Sequence, residues 1–429
     1  MESDSPPAND PSLAADARLL LQAASRHDLT SLQELLRTVP ASVQDPETGF
    51  TPLHAAIAGA DPSQRASQDD EVPNGGAVHG DTGEKDEEAH GEEAAIETVK
   101  QLLLNGAIWN DLDKNDETPG CLALRLGRQD LYTIMVDAGV RAEILLTRLD
   151  EYERLEDRSS DDEEEDIPQE TTPRIPNNDN DADKSLTNNN QPPLPSTDPL
   201  PNQPSYLSSP LSFQPDRILD ASTNSIMMSW ETTLMSRSAA LLAPTAGLRI
   251  LNIGHGMGII DTEFQSTNPS THHIVEAHPA VLAQMRETGW YAKPNVVVHE
   301  GRWQDILPSI IENDEAKDGA TSLLFDVIYF DTFAEPYSAL RRFFDDFVIG
   351  LLDDDGGRWG FFNGLGADRQ VCYDVYGKVL ELDLFEAGFE VEWTGVEMPD
   401  LEAKGEWEGV KRPYWRLKEY RLPVCRFVG

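Results

Sequence analysis

From residue 206 onward the chain alternates short apolar runs with helical stretches, and no other feature restricts its fold as much. "LRILNIG", "HHIVEAH", "NVVVHEG", "FDVIYFD", "RWGFFNG", "FEVEWTGVEM" and "YWRLKEYRLPVCRF" read as strands. Helical patterns fall between them at 279–291, 336–352 and 369–387, and a further helix over 226–242 precedes the first strand. Strands that alternate with helices need right-handed crossovers, so the pattern predicts an α/β domain with a doubly wound, mostly parallel sheet. The last two strands are separated by "PDLEAKGEWEGVKRP", which has no helical pattern and predicts an antiparallel hairpin at that edge.

Three regions precede or lead into this domain. Residues 1–11 are polar and proline-bearing, unlike a signal peptide, and predict a disordered start. Residues 12–150 place leucines and alanines at helical spacing. "TPLHAA", beginning at Thr51, resembles the ankyrin signature, and Thr118-Pro119 restarts the pattern. The two Thr-Pro marks, at 51 and 118, are separated by about two periods of ~33 residues. Two or three imperfect ankyrin units are expected, with a polar insertion at 61–91; a plain helical bundle is the alternative. Residues 151–205, an acidic block followed by an Asn/Pro-rich run, are expected to form a solvated linker, because they hold too little apolar surface to offset the entropy of ordering.

Charge narrows the function. With 77 acidic against 34 basic residues the formal net charge is -43, which argues against the basic face that phosphate backbones require and favours basic partners. Three cysteines, far apart, offer neither a disulfide framework nor a metal-ligand spacing. No apolar run approaches the ~20 residues that span a bilayer. The expectation is a soluble, monomeric, cytoplasmic chain without metal, nucleic acid or membrane partners, nuclear residence remaining open.

In an open parallel sheet, ligands bind beyond the carboxyl ends of the strands. The first strand closes in "GHGMG", where glycine allows a sharp turn and a close backbone approach. The second closes at Glu276, placed to accept from ribose hydroxyls, although it could equally cap the next helix. After the third, "GRWQD" brings Trp303 as a wall for an adenine and Gln304 or Asp305 for its polar edge; Trp303 could instead be core. The fourth ends at Asp331, next to whatever lies above the glycine turn, unless it serves only the turn. Four such residues on successive strands favour an adenosine ligand. The spacing departs from G-x-G-x-x-G, so a ligand without phosphates, S-adenosylmethionine, fits better than a dinucleotide. "IMMSWETTLM" could add Trp230, Glu231 and Met235 as a helical lid, or as core.

"IMMSWETTLM", "NIGHGMGIID", "IVEAHP", "GRWQD" and "VIYFDTF", in this order, resemble guanidinoacetate methyltransferase, and more closely the fungal type IV protein-arginine methyltransferases. The resemblance covers 206–429 and implies a class I methyltransferase fold with S-adenosylmethionine as donor. It implies a donor site of Tyr206, Met227, Met235, His255, Gly256, Met257, Gly258, Ile259, Ile260, Glu276, Ala277, His278, Trp303, Gln304 and Asp331. It further implies that Glu231 and Asp331 hold the guanidinium, that the delta nitrogen of arginine is methylated once, and that the substrate is a basic protein of the large ribosomal subunit. At Gln304 the small-molecule enzyme has an acidic residue. Alternative readings are a small-molecule guanidino methyltransferase and a donor-binding scaffold without transfer activity.

Overall fold

The computed structural model describes residues 11–59, 83–158, 202–315 and 324–429. They form two compact units, the first ending before and the second beginning at Asp198. The first consists of helices α1 (Pro11–Ser25), α2 (Leu29–Leu35), α3 (Pro52–Gly59), α4 (Gly83–Leu104), α5 (Pro119–Arg125) and α6 (Gln129–Arg158). Helix α1 packs on α2 and α3, and α3 packs on α4 and α5. The two Thr-Pro marks open α3 and α5; at the second, Thr118 accepts from the Cys121 N–H while Pro119, which has no N–H to satisfy, begins the helix. Buried His54 joins the two marks. Its Nδ1 lies 2.9 Å from Thr51 Oγ1 and its Nε2 3.0 Å from the Glu117 carbonyl. The turns before them are also joined, Lys114 N–H donating to Thr48 O at 3.0 Å.

Three boundaries differ from the sequence reading. Of the polar insertion at 61–91, residues 83–91 belong to α4, whose "GEKDEEAHGEEAA" is rich in strong helix formers although it lacks an apolar stripe. Of the linker at 151–205, residues 151–158 continue α6 for the same reason, and 203–205 open helix α7 (Gln203–Ser208), which Asn202 caps. Residues 1–10, 60–82 and 159–201, which hold the rest of the start, insertion and linker, lie outside the described residues.

The second unit is built on a seven-stranded sheet. Its strands are β4 (Arg249–Ile253), β5 (Thr271–Glu276), β6 (Val296–Glu300), β7 (Val327–Phe330), β8 (Arg358–Phe361), β9 (Phe389–Glu397) and β10 (Glu419–Phe427), in the order β6-β5-β4-β7-β8-β10-β9. Strands β4 to β8 are parallel, while β10 runs antiparallel between β8 and β9. Helices α8 (Thr232–Leu242) and α9 (Ile259–Ser266) bury Leu234, Met235 and Phe264 with Ile250 and Tyr329 in one core. On the other core, α11 (Trp303–Glu315) and α12 (Tyr337–Phe343) bury Trp303, Leu307 and Phe343 with Leu251 and Ile328. Helix α10 (Pro279–Glu287) lies between β5 and β6 in sequence, and α13 (Gln370–Glu386) follows β8.

The expected helix at 226–242 is only partly a helix. Residues Ser225–Met228 form β3 of a small antiparallel sheet with β1 (Ser212–Phe213) and β2 (Arg217–Leu219), a 3-10 turn follows at Ser229–Glu231, and α8 starts at Thr232. The reason is local: the Glu231 side chain turns back to accept the Met228 N–H at 3.1 Å, which ends the strand and opens the helix.

Candidate active site

Strand order reverses between β4, from which the chain winds toward β5 and β6, and β7, which lies on its other side. A ligand crevice is expected at that point, and a cleft opens there. Its floor is the glycine turn after β4. Gly254 has φ +93°, and a Cβ there would meet the Asp331 carbonyl oxygen at 1.9 Å. The Asp331 N–H donates to Ile253 O at 2.9 Å, so the two strand ends touch backbone to backbone. At Gly256 a Cβ would strike Met227 Sδ at 2.8 Å. Close approach to backbone requires glycine at 254, whereas at 256 the Met227 tip could give and the φ of +54° is what favours glycine.

Beneath the turn lies a buried polar network. His255 Nδ1 is 2.6 Å from Asp261 Oδ2, and Asn252 Nδ2 donates to Asp261 Oδ1 at 2.9 Å and to Gly254 O at 2.6 Å. His272 Nε2 approaches Asp261 Oδ1 at 2.9 Å, off the line of a good hydrogen bond. Burial alone would raise the Asp261 carboxyl, but His255 and His272 outweigh it and hold it at about 2. Asn252 and Asp261 stand inside the "NIGHGMGIID" motif but act from beneath the turn, where position at a strand end does not reveal them.

Seven of the residues expected at the donor line the cleft: Tyr206, Met227, Gly256, Glu276, Ala277, Trp303 and Asp331. Glu276 is less free than a bare ribose acceptor. Its Oε2 accepts the His255 N–H at 2.8 Å and its Oε1 the His278 N–H at 2.7 Å, which ties the first two strand-end turns together. Each oxygen keeps a second lone pair. Tyr206, on α7, packs its ring between those of His278, tilted at 4.8 Å, and Phe333, edge-on at 5.1 Å. Burial, with Glu276 and Asp331 nearby, pushes its phenol well up, so it stays neutral.

The others stand behind the lining. Met235 and Ile260 are core, and Ile259 opens α9. Met257 N–H meets Met227 Sδ at 3.2 Å. Gly258 turns the chain against the His255 ring. His278 caps α10 through Nδ1 and reaches the Tyr206 carbonyl through Nε2 at 3.1 Å, fastening α7 over the cleft. Gln304 donates from Nε2 to Glu335 at 2.8 Å, while its buried Oε1 has no hydrogen-bond partner among the described residues.

Glu335 went unread in the sequence. It accepts from Trp303 Nε1 (3.0 Å), Gln304 Nε2, Thr332 Oγ1 (2.7 Å) and Gln203 Nε2, and so joins α7, α11 and the β7 turn. The other cleft residues the sequence did not suggest include Gly301, Thr332 and Phe333. They follow strand ends already identified, where position alone could have flagged them.

Asp331 and Glu231 carry the electrostatics. Asp331 Oδ2 is buried with no hydrogen-bond partner among the described residues. Burial first, then Asp261 and Glu276, pushes its carboxyl to about 7. Glu231 is 3% exposed and does not line the cleft. Burial and the neighbouring Asp331 push it to about 8 against the opposing bonds from Tyr414 and Met228. Two carboxylates raised by burial and by neighbouring carboxylates form a site that a planar cation would neutralise. Among the described residues no group of three or more His, Cys, Asp or Glu could hold a metal.

Sheet order, the crossover point and the glycine turn define a class I methyltransferase fold with a mostly parallel central sheet. Residues 207–348 match the guanidinoacetate N-methyltransferase family. Over nearly full length the chain is similar to proteins named protein arginine N-methyltransferase 2. It is 51% identical to that of Aspergillus fumigatus (95% of this chain, 96% of the relative) and 48% to that of Emericella nidulans (95% and 96%). Identity to the Gibberella zeae protein is 43% (94% and 90%). The chain belongs to the protein arginine N-methyltransferase 2 family.

Proposed function

We propose that this chain transfers one methyl group from S-adenosylmethionine to the delta nitrogen of an arginine in a basic protein, a protein of the large ribosomal subunit. The observation that carries the reading is the pair of buried, raised carboxylates, Asp331 in the cleft lining and Glu231 outside it, beside a lining that otherwise suits an adenosine. The donor's ribose falls to Glu276 and its adenine to Trp303 and Gln304. The glycine turn leaves room for its amino-acid part.

A guanidinium is charged at every physiological pH, and its nitrogens are poor nucleophiles. Glu231 and Asp331 would bind its edges, hold its charge away from the attacking nitrogen and align that nitrogen with the methyl carbon. The nitrogen–carbon bond forms as the carbon–sulfur bond breaks and its electron pair stays on sulfur. The methylated nitrogen then sheds one proton, and Asp331, titrating near neutrality, is suited to accept it.

The first unit supports protein docking. Its helix pairs, opened by Thr-Pro turns and joined through His54, suit an ankyrin-like scaffold, and the net charge of -43 favours a basic client. We read the chain as a cytoplasmic, and also nuclear, monomer; no helix among the described residues is long and apolar enough to cross a membrane. A second reading, a small-molecule guanidino methyltransferase, draws on the family match at 207–348. Methyl-labelled donor, incubated with a cell extract and this protein, separates them. Mass spectra that place one methyl on the delta nitrogen of a protein arginine support the first reading. Label confined to small guanidino compounds supports the second, and no label at all refutes both.

A further inference from the structure

The connection between β9 and β10, residues 398–418, is far longer than a hairpin needs. Its Trp407, Trp415 and Leu417 belong to the same buried cluster as Met228 and Leu234, which flank Glu231. Hydrogen bonds fasten it along its length. Lys411 N–H donates to Thr223 O at 2.9 Å, Arg217 Nη1 to Glu408 O at 2.9 Å, and Arg416 N–H to Ala367 O at 3.0 Å. Arg217 and Thr223 lie on the β2–β3 hairpin, which runs directly into Glu231. Tyr414 is therefore tied on both sides. Its ring lies 5.6 Å from Trp230 and 5.1 Å from Trp407, and its hydroxyl donates to Glu231 Oε1.

Both bonds to Glu231, from Met228 N–H and from Tyr414, fall on Oε1, which leaves Oε2 for another partner. We propose that Tyr414 is a positioning residue of the acceptor site: held by the 398–418 connection, its hydroxyl pins Oε1 of Glu231 so that Oε2 is presented to a guanidinium. The inference rests on the reading of Glu231 as an acceptor ligand. A purely structural tyrosine would need only its ring, which the surrounding tryptophans already hold. The hydroxyl adds a donor to a carboxylate that burial and Asp331 otherwise bias toward its neutral form, and a neutral acid pairs poorly with a cation. The ionisable groups that face Glu231 are Tyr414, Tyr329 and Asp331. Burial pushes both phenols well up, so the two carboxylates alone titrate near neutrality. The two interact, so they titrate as a pair near neutrality, and completing the ionisation of that pair sets the acidic limb of the rate profile.

The test is kcat/KM against pH for the full chain, with methyl-labelled donor and acid-extracted ribosomal proteins as acceptor. Tyr414→Phe keeps the ring and removes the donor. The acidic limb is expected to move up by about one pH unit, a roughly tenfold loss at neutral pH that recovers in alkali. Affinity for S-adenosylhomocysteine should not change. A 3,5-difluorotyrosine at 414, a stronger donor, should move the limb down; it serves as the test if Tyr414→Phe folds poorly. A loss equal at every pH, or a limb that neither substitution moves, overturns the inference. Glu231→Gln with full kcat/KM would instead overturn the acceptor reading beneath it.

Discussion

Replacing Asp331 by asparagine should abolish transfer and yet stabilise the unliganded protein at alkaline pH. The folded carboxyl sits at about 7 against 3.8 when free, because it is buried and near Asp261 and Glu276. The folded state thus binds the proton more tightly than the unfolded chain. The stability this group allows is fully present below pH ~4 and is lost as pH rises through 7. At about 1.4 kcal/mol per pH unit the loss reaches about 4 kcal/mol, of which about 2–3 kcal/mol falls between pH 5 and pH 8. The group is buried, so solvent screens little of this. An asparagine side chain in its place would carry no such charge. Urea unfolding of both proteins at pH 5 and pH 8, followed through the tryptophans of the second unit, reads the difference directly. The stability gap between Asp331→Asn and the parent should widen by about 2–3 kcal/mol in favour of the variant as pH rises. A gap that stays constant between the two pH values would refute the reasoning, since it would mean that Asp331 is ionised at no cost in the fold.

Three further predictions concern separate parts of the molecule. Gly254→Ala places a Cβ 1.9 Å from a backbone carbonyl at φ +93°, so we expect a loss of several kcal/mol of stability and of donor binding, seen by thermal unfolding with and without S-adenosylhomocysteine. Glu335→Gln cannot accept from four donors at once; S-adenosylhomocysteine should bind about tenfold more weakly by calorimetry, a loss near ~1.4 kcal/mol. His54→Ala removes a buried link between two turns and should destabilise the first unit by about 2–3 kcal/mol, with donor affinity unchanged.

Much of the second unit was legible because its central strands β4, β5, β7 and β8 are buried on both faces and read as apolar runs that end beside polar or glycine residues. Strand ends therefore located the cleft, and Tyr206, Met227, Gly256, Glu276, Ala277, Trp303 and Asp331 line it. Strands β1 to β3 were not legible. They span two to four residues, and "IMMSWETTLM" has helical spacing; the turn in it depends on one carboxylate folding back to Met228. Glu335 and Tyr414 escaped for another reason. Each acts on residues distant in the chain, 32 positions from Trp303 in one case and 183 from Glu231 in the other, and local pattern carries no trace of such a pairing. The helical 83–91 shows the opposite failure, in which propensity prevailed where periodicity was absent.

Strand β10 lies between two strands made before it. During synthesis β8 and β9 emerge first, but the strand that joins them does not yet exist, and each must keep an edge open until β10 arrives to pair with both. The sheet cannot zip up progressively as the chain grows. The same delay holds back the 398–418 connection, which needs β10 to anchor its far end, and with it the hydroxyl of Tyr414. The contact between Tyr414 and Glu231 is therefore among the last to be assembled, so a chain cut short before β10 would lack it even if the glycine turn had formed.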